Sequence, residues 1–170
     1  MEKIFFEKGK LGRIIGRNGE TKISVEKELK VKLRIKQAPG GGEISIVADP
    51  HKTYVVMQIL QAIAVGFPAE DAFQINNDYI LEFIELRRYA KTKTRKTEIK
   101  SRVIGKKGKV MKNIRNLTGV LVSVQNDEIA LLGRTEDVYH VKAAVENLVR
   151  GTPHAKIFKI LEKKEGRFSE

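Results

Sequence analysis

The stretch SRVIGKKGKVMKNIRNLTGVLVSV, Ser101 to Val124, decides how this chain is read, because a second version of it lies upstream. Shifted by 89 residues, GRIIGRNGETKISVEKELKVKLRI, Gly12 to Ile35, aligns with it. Arg13 then meets Arg102, Ile15 meets Ile104, Gly16 meets Gly105, Gly19 meets Gly108, Val25 meets Ile114 and Ile35 meets Val124. Further on, the offset becomes 85, pairing Ile44 with Ile129, Tyr54 with Tyr139, Gly66 with Gly151 and Pro68 with Pro153. The four-residue change falls in QAPGGGE of the first copy and QNDE of the second, where a turn can absorb it. Two copies of one unit, each too short to span 170 residues, predict two similar domains, residues 1–76 and 77–170.

Working outward, each copy predicts the same order of elements. A strand comes first, Lys3 to Phe6 in one copy and Tyr79 to Arg87 in the other. A short helix runs into Gly-x-x-Gly and a second helix leaves it, with Ile23, Val25 and Leu29 expected inward in the first copy and Val110, Met111, Ile114 and Leu117 in the second. Two strands follow, VKLRIK with EISIVA and VLVSVQ with EIALLG. A longer helix, about Lys52 to Val65 or Asp137 to Val149, is stopped by Gly66 or Gly151, and a last helix starts near Pro68 or Pro153. The order is β-α-α-β-β-α with an extra C-terminal helix. The connector from Ala69 to Tyr79 and the terminal EKKEGRFSE are expected to be packing helices, with partner contact as the alternative.

Two glycines three residues apart allow positive φ and bring the main chain close to a ligand, and a following helix offers N–H groups and a positive dipole end to an anion. The residues between them, Arg17 and Asn18 or Lys106 and Lys107, are expected to face solvent. A nucleotide-binding Walker loop does not fit, because position 103 is Val and the residue after Lys109 is Val110 rather than Ser or Thr.

Charge singles out the second copy. The chain carries 33 Lys plus Arg against 21 Asp plus Glu, a formal +12 that predicts a polyanionic partner. From Arg87 to Arg115 there are 13 basic residues and one acid, Glu98, so the rest of the chain balances at 20 of each. Around the first loop Arg13 and Arg17 are followed by Glu20, whereas Arg102, Lys106, Lys107, Lys109 and Lys112 meet no acid. The second copy is therefore expected to dominate binding. Ile104, Val110 and the strand Val120 to Val124 are candidates for a groove that reads bases, with ordinary core as the competing assignment. Aromatic residues are 6% of the chain and Trp is absent, which disfavours extensive base stacking.

Other chemistries find little support. Cys is absent, which removes thiolate nucleophiles and cysteine zinc sites and fits a reducing cytoplasm. His51, His140 and His154 lie far apart, so no metal site and no cofactor are expected, and no catalytic constellation stands out. No 18-residue apolar run predicts a membrane helix, and the start MEKIFFEKG lacks a secretory signal's apolar region, so a soluble cytoplasmic protein is expected.

The segments RIIGRNGE and RVIGKKGK, in these surroundings, resemble the KH RNA-binding domain in its strand-first, type I arrangement. The wider pattern, including GFPAEDAFQIN, DYILEFIEL, IALLG and GTPHAKIFKIL, is similar to the KH proteins of small-subunit ribosome assembly known as partners of the Nob endonuclease. Intact Gly16 and Gly19 point to the archaeal branch of that family. The resemblance implies an α+β fold of two type I KH domains, each an antiparallel three-stranded sheet packed on helices. It implies a non-enzymatic factor that binds single-stranded RNA near the 3′ end of the small-subunit rRNA, with the Nob endonuclease and the alpha subunit of translation initiation factor two as protein partners. The RNA-binding residues carried over are Arg13, Gly16, Arg17, Asn18 and Gly19 in the first copy, and Arg102, Ile104, Gly105, Lys106, Lys107, Gly108, Lys109 and Lys112 in the second. A general messenger-RNA binder or a KH subunit of the RNA-degrading exosome is the alternative.

Overall fold

In each unit the middle strand carries the pairing on both of its edges. A computed structural model describes residues 1–165 and divides the chain into the units Met1–Asn77 and Asp78–Glu170. In the first unit β1 (Glu2–Glu7) and β2 (Lys32–Ala38) both pair antiparallel with β3 (Gly41–Val47), in the order β1-β3-β2. Ile44 sits opposite Ile4 on one side and Ile35 on the other. Between β1 and β2 run α1 (Lys8–Ile15) and α2 (Glu20–Leu29), and after β3 come α3 (Pro50–Ala64) and the single turn α4 (Ala69–Ala72). The second unit repeats this with β4 (Tyr79–Glu85), α5 (Lys93–Ile104), α6 (Lys109–Thr118), β5 (Leu121–Gln125), β6 (Glu128–Arg134), α7 (Thr135–Arg150) and α8 (His154–Glu165). Its sheet order is β4-β6-β5. Both sheets pack with helices in an α+β arrangement. Residues 166–170, the end of the terminal segment read as packing or partner-facing, lie outside the described residues.

Helical periodicity builds the cores. In α7, Val138, Val141, Val145 and Leu148 fall on one face at steps of three and four and are fully buried, and α8 adds Ile157 and Leu161 at a step of four. They pack with Val103, Ile114, Ile129 and Leu131 into one cluster. Each such aliphatic side chain taken from water contributes about 1.5–3 kcal/mol. Asp49 caps α3, its Oδ1 accepting from the Lys52 amide at 3.0 Å, and Pro50 occupies the first helical position. Thr92 caps α5 in the same way, accepting from the Arg95 amide at 3.2 Å.

Four details depart from the sequence-based expectation. The strand expected to reach Arg87 stops at Glu85, because Leu86 turns inward, fully buried, and donates its amide to the Asp127 carbonyl at 2.8 Å. The last helix of the first unit is a single turn continued by a 3-10 turn, Phe73–Asn77. Ile23, expected inward, is 59% exposed, since it lies about 200° around α2 from Val25, and Val25 with Leu29 sets the buried face. The four extra residues of the first copy do not enlarge a turn. Both hairpins turn through two residues, Pro39–Gly40 and Asn126–Asp127, and the first is longer by two pairs, seven against five. The lengthened hairpin needs its glycines: a Cβ on Gly42 would sit 2.8 Å from the Leu11 side chain and 3.0 Å from the Lys36 carbonyl.

Candidate nucleic-acid interface

Two Gly-x-x-Gly loops are built on one backbone. In the second unit α5 ends where the Gly105 amide donates to the Ser101 carbonyl at 2.9 Å, and Gly105 takes φ 74 and ψ 172. A 3-10 turn over Lys106–Gly108 follows, with Lys107 at φ 55, and Gly108 at φ 74 and ψ 15 starts α6. In the first unit Gly16 (φ 76), Asn18 (φ 51) and Gly19 (φ 80) trace the same path. The amides of Gly108 and Lys109 are spent inside the turn, on the carbonyls of Gly105 and Lys106, so fewer N–H groups face outward than a bare helix start would offer.

The two glycines of each loop differ in what requires them. A Cβ on Gly105 would stand 2.8 Å from the Val110 backbone nitrogen, and one on Gly16 would stand 2.9 Å from that of Thr21. The first glycine is thus a packing contact under the start of the next helix. A Cβ on Gly19 meets nothing within 4 Å, and one on Gly108 reaches only the end of Met111 at 3.9 Å. The second glycine therefore borders open space, where a ligand's backbone can approach.

Lys106 and Lys107 are exposed at the tip of the second loop, as are Arg17 and Asn18 in the first. Beyond the tip, Lys109, Lys112 and Arg115 recur every third residue on α6 and are all exposed, so a stripe of cations runs from the loop along one helix face. The same stripe on α2 reads Glu20, Ile23 and Glu26. Arg115 is the residue that the sequence reading left out of the site. Its signal was the three-residue spacing from Lys109 and Lys112.

Much of the basic run has other employment. Asp127, in the β5–β6 turn, accepts from Lys96 Nζ at 2.9 Å and Arg87 Nε at 3.4 Å, and these, led by Lys96, hold its carboxyl below the ordinary value against the opposing effect of burial. Arg95 pairs with Glu98 at 3.0 Å and Arg88 with Glu85 at 3.5 Å. Lys106, Lys107, Lys109, Lys112 and Arg115 carry no ion pair among the described residues.

Arg102 and Arg13, expected on the RNA side, are held elsewhere. Arg102 donates from Nε to the Leu148 carbonyl at 3.1 Å and from Nη2 to the carbonyls of Gly151 and Thr152, at the negative end of α7. The Arg102 carbonyl lies 2.9 Å from His154 Nε2. Arg13 donates from Nη1 to the Ala64 carbonyl at 2.9 Å. Each arginine fastens the helix before its loop to the end of the unit's long helix. Of the expected groove, Val110 and Val120 are buried in the core, while Ile104 and residues 121–124 are half-buried beside the loop. Among the described residues, no group of three or more His, Asp or Glu side chains converges where a metal ion could sit, and no helix is long and apolar enough to cross a membrane.

Comparison with known proteins adds to this geometry. Residues 80–166 match the model of the eukaryotic-type, type I KH domain that stands second in PNO1 proteins. A KH domain-containing protein of Methanocaldococcus jannaschii is 38% identical over 169 residues, covering 96% of this chain and 73% of its own length. Among solved structures, Dim2p of Pyrococcus horikoshii OT3 superposes with a TM-score of 0.81 at 30% identity, over 96% of this chain and 99% of that one. The a/eIF2alpha-aDim2p-rRNA complex from the same organism contains a chain similar at 29% identity and a TM-score of 0.84, over 98% and 96% of the two chains.

Proposed function

We propose, from the premise that this chain belongs to the archaeal Dim2/PNO1-like KH family, that it is a single-stranded RNA-binding factor of small-subunit ribosome assembly. In this reading the two units act as tandem type I KH domains, residues 1–76 and 77–170. The second takes most of the contact with rRNA near its 3′ end. The observation that carries the reading is the stripe of Lys106, Lys107, Lys109, Lys112 and Arg115, cations without an ion pair among the described residues, on the loop and helix beside an open glycine, Gly108.

The mechanism follows from the parts. The positive end of α6 and the two loop lysines attract the phosphates, and Gly108 lets the sugar-phosphate backbone lie against the main chain. A strand of nucleotides so held runs along the stripe toward Arg115, with its bases turned to the half-buried Ile104 and to β5. Arg102 contributes by position, keeping α5 and the loop in place without touching RNA. Arg13 has the same task in the first unit, where Gly16, Arg17, Asn18 and Gly19 make a weaker second clamp.

The Pyrococcus relative is found in a complex with a/eIF2alpha and rRNA, which supports rRNA and the alpha subunit of that initiation factor as partners here. The Nob endonuclease is the third proposed partner, and cleavage belongs to it rather than to this chain, whose place of work is the cytoplasm. Filter binding of the full chain to a 3′ fragment of archaeal small-subunit rRNA tests the reading. Four to seven neutralised phosphates give a log–log salt slope of about −3 to −5. Equal affinity for an unrelated single strand would contradict the assembly role, and cleavage of the fragment by the pure protein with Mg²⁺ would contradict the non-enzymatic one.

A further inference from the structure

A helix that stops leaves the carbonyls of its last turn without amide partners, and the segment that follows is no better fixed than that end. In the second unit the glycine loop hangs from the last turn of α5. The Ser101 carbonyl there is satisfied by the Gly105 amide. The next carbonyl, that of Arg102, faces Nε2 of His154 at 2.9 Å, and His154 is the first residue of α8. A carbonyl only accepts, so Nε2 carries the proton and donates. The orientation of the ring is set one turn further on, where it stacks with Phe158 at 6.5 Å between centroids and 28° between planes.

The contact closes a ring of hydrogen bonds around one residue. The Arg102 side chain reaches the carbonyls of Leu148, Gly151 and Thr152, gripping the end of α7 and the link to α8, and α8 returns the grip through His154. Both residues are half-buried, where water competes less well for a hydrogen bond. Arg102 stands three residues before Gly105, so whatever fixes its main chain fixes the point from which the loop departs. The first unit repeats the side-chain half of this arrangement, with Arg13 donating to the Ala64 carbonyl. At the place of His154, 85 residues earlier, stands Ala69, the first residue of α4, and a methyl group cannot return the contact.

We infer that His154 is a positioning residue for RNA binding: by holding the Arg102 carbonyl it fixes the second glycine loop in its binding conformation before RNA arrives. This rests on the RNA-binding reading above. A loop already fixed loses less conformational entropy when it closes on a ligand. The second unit then binds more strongly for two reasons, its cations and its preorganised loop. Because His154 acts on Arg102 and not on RNA, removing it takes away no phosphate contact.

The test combines amide hydrogen exchange in the free full chain with filter binding to a 3′ fragment of small-subunit rRNA. In His154→Ala the amides of Gly105 and Gly108 should exchange about 3- to 10-fold faster, the value of one hydrogen bond, while the Leu131 amide in the central strand β6 keeps the parent's rate. RNA affinity should fall by about the same factor with the salt slope unchanged. His154→Phe, which keeps a ring beside Phe158 but has no donor, should behave like His154→Ala. His154→Gln, whose side-chain amide can donate, should recover the parent's behaviour. In the unmutated chain nitrogen-15 NMR should find Nε2 protonated at neutral and mildly alkaline pH, and a bare Nε2 overturns the inference without any variant. Parent-like loop exchange or affinity in His154→Ala, an acceleration shared by Leu131, or a His154→Gln as weak as His154→Ala overturns it as well. A parent chain that binds no RNA contradicts the RNA-binding reading, and the positioning role with it, even where the exchange rates behave as expected.

Discussion

The two glycine loops have nearly superimposable torsions and opposite surroundings. Gly16, Asn18 and Gly19 at φ 76, 51 and 80 match Gly105, Lys107 and Gly108 at 74, 55 and 74. Yet the helix face beyond reads Glu20, Ile23, Glu26 in one unit and Lys109, Lys112, Arg115 in the other. Duplicated geometry thus does not carry duplicated affinity. The glycine pattern sets where a nucleic-acid backbone can lie, and the side chains at three-residue spacing decide how strongly it is held.

The largest effect expected from this contrast is on binding itself. Lys106→Asp with Lys107→Asp replaces two cations by two anions and should weaken RNA binding by about 100-fold or more at fixed salt. Arg17→Asp with Asn18→Asp should cost about 5-fold or less on the same scale. Equal losses in filter binding would erase the distinction between the units.

Next come the glycines, read by chemical denaturation. Gly105→Ala adds a methyl against Val110 in a backbone that disfavours it and should cost about 1–3 kcal/mol of stability. Gly108→Ala, with open space beside it, should cost only the left-handed penalty, about 1 kcal/mol. A larger stability loss at Gly108 would contradict the division between a packing glycine and a ligand-facing one.

A third test separates two arginines of one unit. Arg102→Ala should lose about 1.5–3 kcal/mol of stability through its charged hydrogen bonds, with the salt slope of RNA binding unchanged. Arg115→Ala should leave the melting temperature alone and reduce that slope by about 0.7, one phosphate's worth on a single strand. Exchanged outcomes would move Arg102 back to the RNA face.

The smallest effect concerns pH. Lys96 and Arg87 depress the pKa of Asp127 below its ordinary 3.8, so the folded state binds the proton less well than the unfolded one. The resulting stabilisation is complete above the ordinary value and fades as pH falls through the depressed one. The melting-temperature gap between the parent and Asp127→Asn should therefore close on acidification below about pH 4 and stay constant between pH 6 and 8. Glu26 and Asp49, also depressed, add to the same acid sensitivity in the first unit.

Most of the element order was legible in the sequence because local signals agree. The repeat aligned the strands, and Gly66 and Gly151 stand just past the ends of α3 and α7. What was not legible depends on distant partners. Arg102 finds its carbonyls 46 to 50 residues away, and Lys96 finds Asp127 at a separation of 31, so a count of charges along the run overstated the free ones. Ile23 was misread because an apolar residue near an apolar pair does not by itself reveal its side of the helix. Arg115 takes its meaning from the three-residue spacing that sets it in line with Lys109 and Lys112 on the exposed side of α6.

Ultraviolet crosslinking of the intact chain to a 3′ fragment of small-subunit rRNA, with crosslinked peptides mapped by mass spectrometry, tests the central contrast most directly. Crosslinks should concentrate between Ile104 and Val124, with a minor set at Gly16–Gly19. Crosslinks spread equally over the two loops, or concentrated on the first, would contradict it.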